Sequence, residues 1–233
     1  MHLKQVAAPR QTSMKKLLNG IIDFRRHVLP GYRDKFAQLA LGQSPDTLFI
    51  ACSDSRVVPN LFASTDPGDL FVLRNVGNMV APCGQDGISL SDESEAAAIE
   101  FALVNLTVTD IVICGHSECG AMRAICDGID KVQPQHLRRW LRHGLPTLAQ
   151  LEQDSPIART LLTPHNKLSQ LNVLLQILHI QTYPVVRDAV AQGRLTIHGW
   201  WFDIAHADVY AYEKDQSLFV MIDETEAEKL LKC

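Results

Sequence analysis

Apolar residues recur along this chain in two rhythms. From Met14 to Leu41 they keep helical spacing: Leu17, Leu18, Ile21, Ile22 and Phe24, then Phe36, Leu39 and Leu41. Pro30-Gly31 interrupts that run, so the pattern predicts two N-terminal helices with a break near Leu29–Gly31. Beyond it stand short continuous apolar runs of the kind that form strands buried on both faces. These are Thr47–Ala51 (TLFIA), Asp69–Val76 (DLFVLRNV) and Asp110–Cys114 (DIVIC), and Leu195–Phe202 (LTIHGWWF) also looks like a strand. Val209–Tyr212 and Leu218–Ile222 read as a hairpin at the sheet edge. Helical stretches separate the strands: Ser91–Asn105, Cys119–Asp127, Pro134–Arg142, Pro146–Glu152, Pro164–Leu178 and Pro184–Gln192. Ser91 is the stronger N-cap of the first and Ser94 the weaker, with acidic residues in the opening turn.

Strands alternating with helices imply an α/β fold with a mostly parallel sheet covered on both faces. In such sheets ligands bind beyond the carboxyl ends of the strands. Two reactive clusters fall at those ends. Cys52-Ser53-Asp54-Ser55-Arg56 follows TLFIA, and Gly115-His116-Ser117-Glu118-Cys119-Gly120 follows DIVIC. If the two strands are neighbours, the clusters converge. His116 and Cys119 then offer two metal ligands on one tight turn and Cys52 a third. Three protein ligands with one open position is the catalytic arrangement of zinc, and four the structural one. Taken alone, the spacing also fits a buried histidine beside an inert cysteine. The glycines at 115 and 120 point to tight backbone geometry. Asp54 and Arg56 fit a carboxylate held ionised by a guanidinium so that it can accept a hydrogen bond from a metal-bound hydroxide. They also fit a turn-stabilising ion pair.

Composition narrows the function without choosing it. The chain has 233 residues, 46% hydrophobic, enough for a real core. Charged residues are 21% and the net charge is −4, which calls for neither nucleic acid nor an anionic membrane as partner. No run of eighteen apolar residues suggests a membrane span, and the N-terminus lacks the features of a secretory signal. A reducing cytoplasm with free thiols is the expected setting for the six cysteines. Cys114 and Cys126 read as packing residues, Cys83 as a loop residue and Cys233 as the chain end. The other eight histidines form no ligand-like pair. Residues 1–13 read as a loose tail, with Met14 a possible internal start, and 14–233 as one domain: a helical arm (14–44), an α/β core (45–202) and a C-terminal hairpin and tail (203–233).

The motifs ACSDSR at 51–56, RNVGN at 74–78 and GHSECG at 115–120, with AAIEFAL at 97–103 and HGWWFDI at 198–204, resemble those of the β-class carbonic anhydrases. The resemblance runs from about Met14 to about residue 213. It implies zinc held by Cys52, His116 and Cys119, with Asp54 and Arg56 as the catalytic dyad, and reversible hydration of carbon dioxide to bicarbonate. It implies four parallel strands plus an antiparallel edge strand, and an N-terminal arm that wraps a partner in a homodimer or dimer of dimers. Gln43, nine residues before Cys52 as in plant-like members, is the implied donor to substrate, and Phe71, Val76, Phe101 and Gly120 complete the implied substrate pocket. The apolar positions also suit plain core packing. Some members close the site by swinging the aspartate onto the metal, and those carry tryptophan and glycine where this chain has Phe49 and Ala51. An open site is therefore expected, with Asp54 bonded to Arg56. Phe101 in place of a more usual tyrosine, Cys83 in a loop and the stretch QDGISLSDESE depart from the family pattern and bear on substrate choice. The rival readings are a carbon disulfide or carbonyl sulfide hydrolase on the same scaffold and a non-enzymatic, zinc-stabilised bicarbonate-sensing domain.

Overall fold

The computed structural model describes residues 13–91 and 93–231; Cys233 lies outside them. The described residues fall into two compact units, one ending at Gln43 and one beginning at Ser44.

The first unit is helical. α1 (Ser13–Asp23) runs into a π-helical turn, Phe24–Val28, which leads into α2 (Leu29–Leu39). The break expected near Leu29–Gly31 is absent. Pro30 lies in the first turn of α2, where its missing N–H costs little. The wider π turn before it continues the helix, with the Leu29 N–H donating to the Phe24 carbonyl. The apolar face of α1 stays largely exposed: Leu17 at 61%, Leu18 at 53% and Ile21 at 57%.

The second unit is built on a six-stranded sheet of order β2-β1-β3-β4-β5-β6. β1 (Thr47–Cys52), β2 (Leu70–Asn75), β3 (Asp110–His116) and β4 (Thr196–Asp203) are parallel. β5 (Asp208–Glu213) and β6 (Leu218–Met221) add antiparallel, so both arms of the hairpin join the sheet. The helices between are α3 (Pro59–Phe62), α4 (Glu93–Glu100), α5 (Gly120–Cys126), α6 (Gln135–Leu141), α7 (Pro146–Leu151), α8 (Pro156–Arg159), α9 (Pro164–Ile180) and α10 (Pro184–Ala191), with α11 (Glu224–Leu230) at the end. α3 and α8, four residues each, are too short to leave a periodic signal in the sequence. α4 starts at Glu93, so Ser94 lies inside its first turn rather than ahead of it. Its last stretch, Phe101–Asn105, is again π-helical.

The strands alternate as a pleat demands. Leu48, Ile50, Ile111 and Ile113 face one side and pack with Ile99, Val173, Ile180 and Val186 from the covering helices. Phe49, Ala51, Val112 and Cys114 face the other side, with Val57 and Phe202. Phe49 sits between Phe62 and Trp200, with ring centroids at 6.0 and 5.9 Å. β1 and β3 are neighbours, Ala51 opposite Cys114, so their carboxyl ends meet.

Candidate metal centre and active site

That meeting brings Cys52, His116 and Cys119 together. All three are buried, and their ligand atoms lie within 4.8 Å of one another. No other group of three or more metal-ligating side chains is found among the described residues. His116 ends β3, and the chain then turns through Glu118 at φ +56° to Cys119, which precedes α5. Cys119 is the N-cap residue of α5, in extended backbone, and its side chain makes no cap hydrogen bond. Gly115 lets α9 approach: a Cβ there would lie 2.8 Å from Val173 Cγ2 and 3.1 Å from the Ser169 carbonyl. Ser169 in turn donates from Oγ to the His116 carbonyl at 2.8 Å. Gly120 differs from expectation, because nothing lies within 4 Å of a Cβ built there. The strain in this turn falls on Glu118 instead.

The cluster has the chemistry of a cation site. His116 is fully buried, and its Nδ1 lies 2.8 Å from the Ser117 carbonyl. That acceptor places the proton on Nδ1 and leaves Nε2 as an unprotonated lone pair, and Nε2 has no hydrogen-bond partner. An orphaned buried acceptor costs about 1–3 kcal/mol, which a bound cation would recover. The Cys52 thiol is lowered to about 4, chiefly because the Cys119 S–H donates to it. His116 and the Gly77 N–H act in the same direction, while burial opposes them. Cys119 is raised by the same bond and by burial. A doubly charged ion would take both sulfurs as thiolates.

Beside the cluster, Arg56 grips Asp54 through two parallel bonds, Nε to Oδ1 at 2.9 Å and Nη2 to Oδ2 at 2.7 Å. The Arg56 backbone N–H adds a third at 3.0 Å. This guanidinium holds the Asp54 carboxyl far below the usual carboxylate range. Arg56 Nη2 also reaches the Glu118 carbonyl at 3.0 Å, tying the two strand-end loops together. Glu118 is braced by Asn166, which accepts its N–H at 2.8 Å, and its carboxylate pairs with Arg123 and His165.

Of the other expected site residues, Phe71 and Phe101 stack obliquely with centroids 5.9 Å apart, and Val76 is 42% exposed. Gln43 belongs to the N-terminal unit. The sequence reading gave no role to several residues that build the centre. Gly77, at φ +83°, donates its N–H to Cys52 Sγ at 3.3 Å. Arg74 donates to the carbonyls of Cys52 and Asp54 at 3.0 and 2.7 Å. Asn172 donates to the Gly77 carbonyl at 3.0 Å, and Gln176 bonds Asn172 at 2.8 Å and the Val80 N–H at 2.8 Å. A signal for these existed: Asn166, Ser169, Gln170, Asn172 and Gln176 are interleaved with Leu168, Leu171, Val173 and Leu175 on one helix, and buried amides need partners.

A parallel sheet whose central strand ends carry a buried Cys–His–Cys cluster beside an anchored carboxylate defines an α/β protein with a metal-type active centre. Residues 47–209 match the carbonic anhydrase family. A carbonic anhydrase of Pseudomonas aeruginosa is 39% identical over 214 residues, covering 91% of this chain and 93% of that protein. Carbonic anhydrase 1 of Escherichia coli O157:H7 is 40% identical over 216 residues, covering 89% and 91%. Among solved structures, the β-carbonic anhydrase CcaA superposes with a TM-score of 0.82 at 37% identity, covering 91% of this chain and all of that one. A tetrameric β-carbonic anhydrase from Sordaria macrospora gives 0.74 at 28% identity, covering 86% and 97%. The chain belongs to the carbonic anhydrase family, in its β class.

Proposed function

We propose that the chain hydrates carbon dioxide reversibly to bicarbonate, with zinc held by Cys52, His116 and Cys119. The observation that carries this reading is the buried three-ligand cluster with its orphaned His116 Nε2, set beside the Asp54–Arg56 pair. Two sulfurs and one imidazole nitrogen suit zinc, and three protein ligands leave a fourth position open. Zinc bound there supplies a water acidic enough to act as nucleophile near neutral pH.

The remaining work falls to the chain. Asp54, fixed by Arg56, accepts a hydrogen bond from the attacking oxygen and orients it. Its engagement by Arg56 supports an open centre in which Asp54 is not a metal ligand. Phe71, Val76 and Phe101 supply apolar surface suited to a substrate without charge or dipole, some of it offered across a dimer interface, since Phe71 lies opposite Leu48, four positions before Cys52. Nothing lies within 4 Å of a Cβ built at Gly120, which leaves room for the oxygens of the forming bicarbonate, and Gln43 keeps the role of substrate donor that the family resemblance implies. The exposed apolar face of α1 supports a homodimer or dimer of dimers in which the N-terminal arm packs on a second copy. Thiolate ligands and free cysteines suit a reducing cytoplasm. No helix among the described residues is long and apolar enough to cross a membrane.

The test is zinc content and stopped-flow hydration of carbon dioxide on one sample. About one zinc per chain is expected, and Cys52→Ala or His116→Ala loses metal and activity together. Full zinc occupancy in either variant refutes the ligand assignment.

A further inference from the structure

We propose that Trp140 is a positioning residue for the Cys52 sulfur, acting through the Val76–Gly77 peptide. This inference rests on the metal reading above and concerns a residue outside the motifs. Trp140 lies near the end of α6, and its indole Nε1 donates to the Val76 carbonyl at 2.7 Å. The N–H of the same peptide unit, that of Gly77, donates to Cys52 Sγ at 3.3 Å. A trans peptide is rigid and planar, so its C=O and N–H point in opposite directions. A donor holding one end therefore aims the other. A hydrogen bond to the carbonyl also polarises the N–H and strengthens the bond it makes.

The peptide needs such an anchor. Gly77 adopts φ +83°, and a Cβ there would meet Ala121 Cβ at 3.0 Å and Met79 Cε at 3.1 Å. Only glycine fits, and glycine is the residue with the most freedom to rotate that peptide away. Asn172 holds the next peptide by the Gly77 carbonyl at 3.0 Å, but it does not touch the Val76–Gly77 unit. The Trp140 ring is itself seated: it packs on the apolar cluster that contains Cys52, Cys119 and Met122, and meets His143 edge to face at 5.4 Å. α6 thereby reaches a metal ligand that its own sequence gives no reason to connect with it.

The experiment compares zinc-loaded wild type with Trp140→Phe and Leu137→Ala by competition against a chromogenic zinc chelator. Trp140→Phe keeps an aromatic ring and removes the donor. Leu137→Ala loosens the packing of α6 on the same cluster and leaves the bond in place. Trp140→Phe is expected to shift the competition about tenfold toward the chelator, in the range of losses at groups that orient metal ligands. The cobalt-loaded variant should show a shifted thiolate-to-metal absorption band. Leu137→Ala is expected to melt at lower temperature with its competition curve unchanged. A Trp140→Phe curve that overlays wild type, or an equal shift in Leu137→Ala, overturns the proposal. Wild type that takes up no zinc overturns the metal reading and this one with it, whereas tight zinc in both wild type and Trp140→Phe overturns this one alone. If Trp140→Phe does not fold, amide exchange in the wild-type holoprotein decides: slow exchange at Gly77 supports the bond to Cys52, and fast exchange overturns it.

Discussion

The two glycines that bracket the His116–Cys119 turn should respond to alanine with opposite signs. At Gly115 the added Cβ lies 2.8 Å from Val173 Cγ2 and 3.1 Å from the Ser169 carbonyl, at the seam between β3 and α9. Carbon atoms prefer about 3.5–4.0 Å, so the helix must retreat by roughly half an ångström or more. Overpacking of this kind costs about 1–3 kcal/mol. Retreat also stretches the Ser169 Oγ bond to the His116 carbonyl, 2.8 Å in the native chain, at a cost of about 1 kcal/mol. Against this stands the gain of replacing glycine in a strand, about 0.5–1 kcal/mol. The steric term wins, and a net loss of about 1–3 kcal/mol lowers the melting temperature by about 2–12 °C for a chain of this length. At Gly120, the first residue of α5, nothing lies within 4 Å of the new methyl, so Gly120→Ala should leave stability unchanged or raise it by up to about 1 kcal/mol. Thermal melts of the two variants, followed by far-UV circular dichroism, measure the difference. Adding Val173→Ala to Gly115→Ala should recover part of the loss as a favourable coupling. Equal destabilisation at both glycines, or none at Gly115, would show that the close seam between β3 and α9 does not exist in solution.

Asp54→Ala should keep its zinc and lose at least about a hundredfold in carbon dioxide hydration, because the attacking oxygen loses its acceptor. Arg56→Ala should act in the same direction by releasing Asp54, and wild-type turnover in either variant sinks that role. His206 is exposed in the β4–β5 turn, and its pKa is raised above 6.5 by Asp203, with Asp208 adding to the field. A raised histidine stabilises the fold in its charged form. That contribution is fully present below about 6.5 and disappears as pH rises through the raised value. The melting temperatures of wild type and His206→Gln should therefore differ slightly in mild acid and converge in alkali, and NMR titration of His206 should give a midpoint above 6.5.

Much of this architecture was legible in the residues themselves. Buried parallel strands read as continuous apolar runs because both faces are covered; each of the four expected strands is a parallel strand, but β2, at the sheet edge, has no buried residue. The candidate metal ligands were legible because cysteine and histidine are chemically distinctive and fell just past strand ends. Adjacency was a different matter. Whether TLFIA and DIVIC lie side by side is a property of sheet order, and only β1 pairing with β3 made two motifs some sixty residues apart into one centre. The continuity of the N-terminal helix was likewise decided by backbone geometry, since a π turn absorbed the proline that should have ended it. Glu118 at φ +56° could not be read from a side chain that carries no preference for that conformation. Least legible of all was the support of the centre by the peptide bonds of Val76 and Gly77, the amides of α9 and the indole of Trp140. Backbone groups are the same at every position, and only the folded chain decides which N–H meets which sulfur.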